Sequence, residues 1–170
     1  TSLSTMISLV AAISYALGFF FQRQNLTSDS QDRRKVLAST TVAVIAHLAV
    51  ILLITRQPGG LDFGFFKVAS LISWVIVVAV LMSSWKKPLD NLFLYLFPLA
   101  IACLLASLFI TSSYEPQGDY TTGVALHILL GILAVSVITI AAFQTILISF
   151  LNRLLKTFRK HQLWHYSWRA

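Results

Sequence analysis

Charge is what this 170-residue sequence has least of: 11% of its residues are Asp, Glu, Lys or Arg, and 57% are hydrophobic. A soluble domain carries roughly 25% charged residues, so a water-facing surface is excluded for most of the chain. Cysteine is also scarce. The single Cys103 rules out an internal disulfide and any cysteine-based metal cluster within one chain. It stands in an apolar run and reads as a small packing hydrophobe. No Gly-rich phosphate loop, zincin-type histidine motif or hydrolase serine elbow occurs, so nothing points to a catalytic residue and the chain is not read as an enzyme. The net charge of +7 does not imply nucleic acid. The basic residues flank apolar runs and do not form one continuous face.

What is present is a series of five long apolar runs, near Leu3–Phe21, Val36–Thr55, Phe65–Trp85, Leu89–Ser112 and Val124–Leu151. A bilayer is crossed by about 20 residues of helix. β-Branched stretches such as Trp74-Val75-Ile76-Val77-Val78 would favour a strand in water. In an uncharged run of this length the backbone must satisfy its own hydrogen bonds, which selects helix. The expected fold is therefore an all-α polytopic membrane bundle of five helices, one domain over 1–156, with a basic aromatic tail over 157–170. The first run has no basic residue ahead of it and no small-x-small cleavage site behind it, so it is read as a retained helix and not a cleaved signal.

Charge predicts the orientation. Arg23, Arg33, Arg34 and Lys35 follow the first run, Lys86 and Lys87 follow the third, and Arg153, Lys156, Arg159, Lys160 and Arg169 follow the fifth. Only Arg56 and Lys67 fall on the other side. The positive-inside rule then puts the N-terminus outside and the C-terminus in the cytoplasm.

Gln57-Pro58-Gly59-Gly60 and Glu115-Pro116-Gln117-Gly118 are breakers between helices, and Lys86-Lys87-Pro88-Leu89-Asp90 reads as a tight inner turn. Pro98 falls inside the fourth helix, where it removes one donor and predicts a kink. Ala102 and Ala106 offer a small-xxx-small packing face there. Lys67 is expected to snorkel outward, and Gln144 to bond a neighbouring helix. The fifth run continues into Asn152–Phe158, where Leu151, Leu154, Leu155 and Phe158 share a face beside Arg153, Lys156 and Lys160. This is a basic amphipathic stretch at the inner surface, suited to anionic lipid. In the tail, His161 and His165 lack a third ligand nearby, and Trp164 and Trp168 read as interfacial aromatics.

Two histidines interrupt the apolar runs, His47 in Ala46-His47-Leu48 and His127 in Leu126-His127-Ile128. Titratable groups inside membrane segments are costly and call for a role. Helix rise places His47, eight residues before Thr55, roughly 12 Å below the outer end. His127, three residues after Val124, lies roughly 5 Å below it. Three chemistries fit: an axial ligand for haem iron, a proton relay, or a hydrogen bond between helices. Apart from Asp90 in the turn that opens the fourth, the apolar runs contain no Asp or Glu to extend a proton path or complete a metal-transport site.

The stretch from Ala46-His47-Leu48 through the breaker to Ser73-Trp74 resembles the CcsA/CcmC-type cytochrome c assembly family, closest to its YpjD/HemX-like inner-membrane branch. Gly123-Val124-Ala125-Leu126-His127-Ile128-Leu129-Leu130-Gly131 is similar to that family's histidine-bearing helix start, followed by a long apolar helix ending in Asn152-Arg153-Leu154-Leu155-Lys156. The resemblance implies a bacterial inner-membrane protein that handles haem. It assigns His47 to a membrane-embedded iron-ligand position and His127 to an external one near the outer surface. Members are longer, so it also implies that this sequence is a C-terminally truncated member whose partner histidines lie beyond it. The expected partners are the lipid bilayer, haem, and cytochrome c assembly or other membrane proteins. The alternative is a membrane scaffold or regulator whose histidines only bond neighbouring helices. A transporter subunit is a third reading.

Overall fold

The computed structural model describes residues 2–27, 32–57, 60–85, 90–110 and 121–167, with side chains at 2, 57, 90 and 157–167 left aside. The described chain is helical throughout, apart from one small ladder. The helices are α1 (Ser2–Thr27), α2 (Arg33–Thr55), α3 (Phe65–Ser84), α4 (Asp90–Phe109) and α5 (Thr122–Ser167). Between α2 and α3, β1 (Arg56–Gln57) pairs antiparallel with β2 (Gly60–Leu61), Arg56 opposite Leu61. Gly60 closes this pair at φ 129°, a backbone region that side-chain-bearing residues avoid. Among the described residues, five helices are long and apolar enough to cross a membrane.

Several boundaries differ from those the sequence predicts. α1 continues past Phe21 to Thr27, because no breaker intervenes; the Thr27 hydroxyl closes its last turn on the carbonyls of Arg23 and Gln24. α2 starts at Arg33 and not at Val36, so three basic residues belong to its first turn. α3 ends at Ser84, one residue early, and α4 ends at Phe109, three residues early. α5 continues past Leu151, as the sequence suggests for Asn152–Phe158, and goes further: its backbone stays helical to Ser167, since Asn152–Ser167 contains neither Pro nor Gly. The breaker Glu115–Gly118 and the turn residues Lys86–Leu89 lie outside the described residues.

The chain divides into two compact units, Thr1–Ser136 and Val137–Ala170. In the first, α1 packs on α2 and α4, and α3 packs on α4 and α2, so four helices close a ring. Each contributes an inward stripe at alternating steps of three and four residues. On α2 it is Val36, Thr40, Ala43, His47 and Val50. On α3 it is Ser70, Ser73, Val77, Val80 and Ser84. On α4 it is Phe93, Phe97, Ala100 and Leu104, with Leu96 buried beside Phe97. That spacing is the 3.5-residue seam of left-handed helix packing. Small residues on the stripes let the backbones approach. At Gly18 of α1 an added Cβ would meet the Phe97 ring and the Ser39 hydroxyl at 3.1 Å.

α4 therefore turns a different face inward from the one its small residues suggest. Ala102 is exposed and Ala106 half-buried, as the Phe93–Phe97 stack takes the interior. Pro98 is exposed, and α4 runs on through it. In the second unit Leu151, Leu154 and Leu155 are all exposed on the helix, and Gln144 bonds no described residue.

Candidate functional site

His47 lies at the centre of the four-helix ring, with no solvent exposure. Its place on the α2 stripe aims the ring between α1 and α3. Nδ1 is 3.1 Å from the Tyr15 hydroxyl of α1, and Nε2 is 2.9 Å from the Ser70 hydroxyl of α3. Tyr15 and Ser70 are themselves fully buried. Tyr15 meets the imidazole edge to face and also touches Phe97 of α4, ring centroids 5.8 Å apart in both pairs. Phe97 stacks on Phe93 at 5.2 Å and 7°. One turn below, the Trp74 indole of α3 donates to the Val44 carbonyl of α2 over 2.9 Å. On the other side of His47 along α2, Val50 joins an apolar layer with Ala11 and Leu104, packed by Ile7, Ala46, Ile54 and Leu108.

Several other buried hydroxyls of the bundle bond back to their own helices: Ser8 to Ser4, Thr40 to Val36, Ser73 to Ser70 and Ser107 to Leu104. Ser70 instead sends its hydroxyl across to His47 on a neighbouring helix. Neither Tyr15 nor Ser70 is singled out by sequence reasoning. The signal that finds them is the alternating three-and-four spacing, which puts both on inward stripes with His47.

His127 has the opposite environment. It sits in the first turns of α5 and is exposed, with no hydrogen bond to any described residue. Val124 and Leu130 beside it are exposed too. Gly123 and Gly131 lie four residues before and after it, on the same helix face. A Cβ added at either glycine would meet nothing within 4 Å. The imidazole thus projects from a strip of bare helix backbone.

No hydrogen bond or ring contact joins His47 to His127, so the two predicted ligands do not form one site in the described structure. Among the described residues no group of three metal-ligating side chains converges. An axial ligand needs a free nitrogen lone pair and room for a flat macrocycle. His127 is exposed, and a Cβ at either flanking glycine would meet nothing within 4 Å. Both ring nitrogens of His47 carry hydrogen bonds, and the Tyr15 ring lies against the imidazole.

At the turn between α2 and α3 Lys67 does more than snorkel. Its ammonium pairs with Asp62, whose other carboxylate oxygen accepts the Gly64 N–H at 2.8 Å. The Asp62 N–H in turn bonds the Thr55 carbonyl at the end of α2. At the opposite ends of the helices, the Arg33 guanidinium donates to the carbonyl of Ser84, the last residue of α3. A cation at a helix C-terminus is favoured by the peptide dipoles. Comparison with family models, with curated proteins and with solved structures gave no match to this chain.

Proposed function

We propose that this chain is a multi-pass bacterial inner-membrane protein of the cytochrome c assembly type, with its N-terminus outside, and that it handles haem through His127 in the outer half of the membrane. The carrying observation is the Gly123–His127–Gly131 strip. It offers an imidazole with an open lone pair, flanked on its own face by two positions without side chains. A planar, apolar macrocycle needs that clearance to bring iron within reach of a helix-borne histidine. Apolar side chains at Val124 and Leu130 suit the porphyrin's faces and edges. When bound, haem would supply redox chemistry or be passed on as cargo; the chain's part is to ligate and to orient it. The resemblance of the same residues to the family's histidine-bearing helix start supports the same assignment.

Haemin titration of the purified protein in detergent tests this. The expected result is a Soret band that grows to saturation and is lost in His127→Ala. A protein that stays colourless with excess haemin would end the proposal. A C-terminal reporter active only outside the cytoplasm would reverse the orientation.

The scaffold reading is favoured by one specific observation, the saturated hydrogen bonding of His47. On that reading the four-helix ring is a rigid frame, and α5 with its exposed apolar surface is what a partner protein meets. Haemin uptake that survives His127→Ala unchanged, with nonspecific stoichiometry, would leave the scaffold as the better account.

A further inference from the structure

The Tyr15–His47–Ser70 chain has three hydrogens to place and two contacts to fill. A neutral imidazole has one N–H donor and one bare acceptor nitrogen, while each hydroxyl can do either job. Two arrangements are possible. In one, the Tyr15 O–H donates to Nδ1 and Nε2–H donates to the Ser70 oxygen. In the other, the Ser70 O–H donates to Nε2 and Nδ1–H donates to the phenol oxygen.

Donor and acceptor strength decides between them. A phenol is far more acidic than an aliphatic alcohol, so it is the better donor, and its oxygen is the poorer acceptor. The hydrogen left over also differs. In the first arrangement it belongs to Ser70, whose hydroxyl rotates about a single bond on a helix where a serine's fallback is its own preceding turn. In the second it belongs to Tyr15, whose O–H keeps to the ring plane and lies in a fully buried site beside Phe97. An unsatisfied donor there is costly.

We infer that His47 is fixed as its Nε2–H tautomer, with Tyr15 donating to Nδ1 and Ser70 accepting from Nε2, so that it ties three helices together and is closed to iron. Metal-bound histidines usually take the reverse form, with Nδ1–H given to a neighbour and Nε2 on the metal. Here Nε2 carries the hydrogen, and the Nδ1 lone pair is covered by a phenol. The embedded iron-ligand position that the resemblance assigns to His47 is therefore filled by a positioning residue. The inference concerns the protein without added haemin, and it stands or falls separately from the reading of His127.

The chain has four histidines, which makes the test direct. A full-length variant carrying His127→Gln, His161→Gln and His165→Gln leaves His47 as the one histidine without altering the ring's core. With imidazole ¹⁵N labelling in detergent micelles, long-range ¹H–¹⁵N spectra report which nitrogen is protonated. The expected pattern is a bare Nδ1 and a protonated Nε2, with the Nδ1 resonance displaced in the same variant carrying Tyr15→Phe. A protonated Nδ1, or the averaged pattern of a freely exchanging imidazole, would overturn the inference. Should Tyr15→Phe not fold, the protonation pattern of the triple variant decides by itself.

Discussion

Tyr15 and His47 meet edge to face, their rings at 86°, with the phenol oxygen 3.1 Å from Nδ1. This contact joins α1 to α2 at the level where Ser70 joins α2 to α3. Side-chain hydrogen bonds between membrane helices average near 0.6 kcal/mol and reach about 1.7. Tyr15→Phe keeps the ring and deletes one bond, so a loss of about 1 kcal/mol is expected. His47→Ala leaves a cavity and strands two buried hydroxyls, and should cost roughly 3 kcal/mol or more. Thermal unfolding of the haem-free protein in detergent reads both. A His47→Ala protein that melts with the wild type would mean that the three-helix tie contributes nothing.

The close approach of α1 to α4 makes its own prediction. A methyl group at Gly18 must displace the Ser39 hydroxyl or the Phe97 ring by a few tenths of an ångström. The gain in helix propensity from Gly to Ala, about 1 kcal/mol, offsets that strain. Gly18→Ala should therefore change stability little. Gly18→Leu has no such escape, because Phe97 is held by Phe93 and Tyr15. Overpacking of this kind costs about 1–3 kcal/mol. Equal melting of the Ala and Leu variants would show that the helices part freely.

Two acidic residues flank α2, and their ion pairs should differ sharply in worth. Asp62 and Lys67 have side chains 12% and 16% exposed, and Asp62 also holds the Gly64 N–H. Asp32 and Lys35 pair at 2.5 Å but are 55% and 59% exposed. Asp62→Ala removes charge-assisted bonds worth about 1.5–3 kcal/mol, whereas Lys35→Ala should fall within about 0.5 kcal/mol of wild type. Lys67→Met lies between them, since Asp62 keeps its backbone partner. Chemical denaturation at low and high salt separates the pairs: a Lys35→Ala penalty as large as that of Asp62→Ala would contradict this ranking.

Much of this architecture can be read from the sequence, for a physical reason. Where an uncharged run exceeds the bilayer's thickness, hydrogen-bond satisfaction leaves helix as the one solution. The start of α3 at Phe65 and the end of α2 at Thr55 accordingly fall where expected. The helix ends at Thr27, Arg33 and Ser167 do not, because hydropathy marks where lipid ends and not where hydrogen bonding ends. The sequence also singles out His47 as costly and names a bond between helices among its uses. It does not supply Tyr15 and Ser70, since a tyrosine and a serine are unremarkable in membrane helices until three stripes are aligned. The contrast between a saturated His47 and an open His127 depends on which helix packs against which. Periodicity within one helix carries no such information.

The glycines around His127 give the sharpest test of the haem proposal, because they carry it without touching the fold. Gly131→Leu adds a side chain on the face of the imidazole, into space with nothing within 4 Å of its Cβ. The haem-free protein should keep its thermal stability, or gain slightly from the better helix former. Haemin should bind at least ten-fold more weakly, with the Soret band broadened or shifted toward that of free haemin. Gly123→Leu should act in the same direction from the other side of the histidine. Leu130→Ala, on a neighbouring position, trims apolar contact without blocking the strip and should weaken binding only slightly. If both glycine variants take up haemin with wild-type affinity, the macrocycle does not lie on this strip, and His127 loses its claim to the iron.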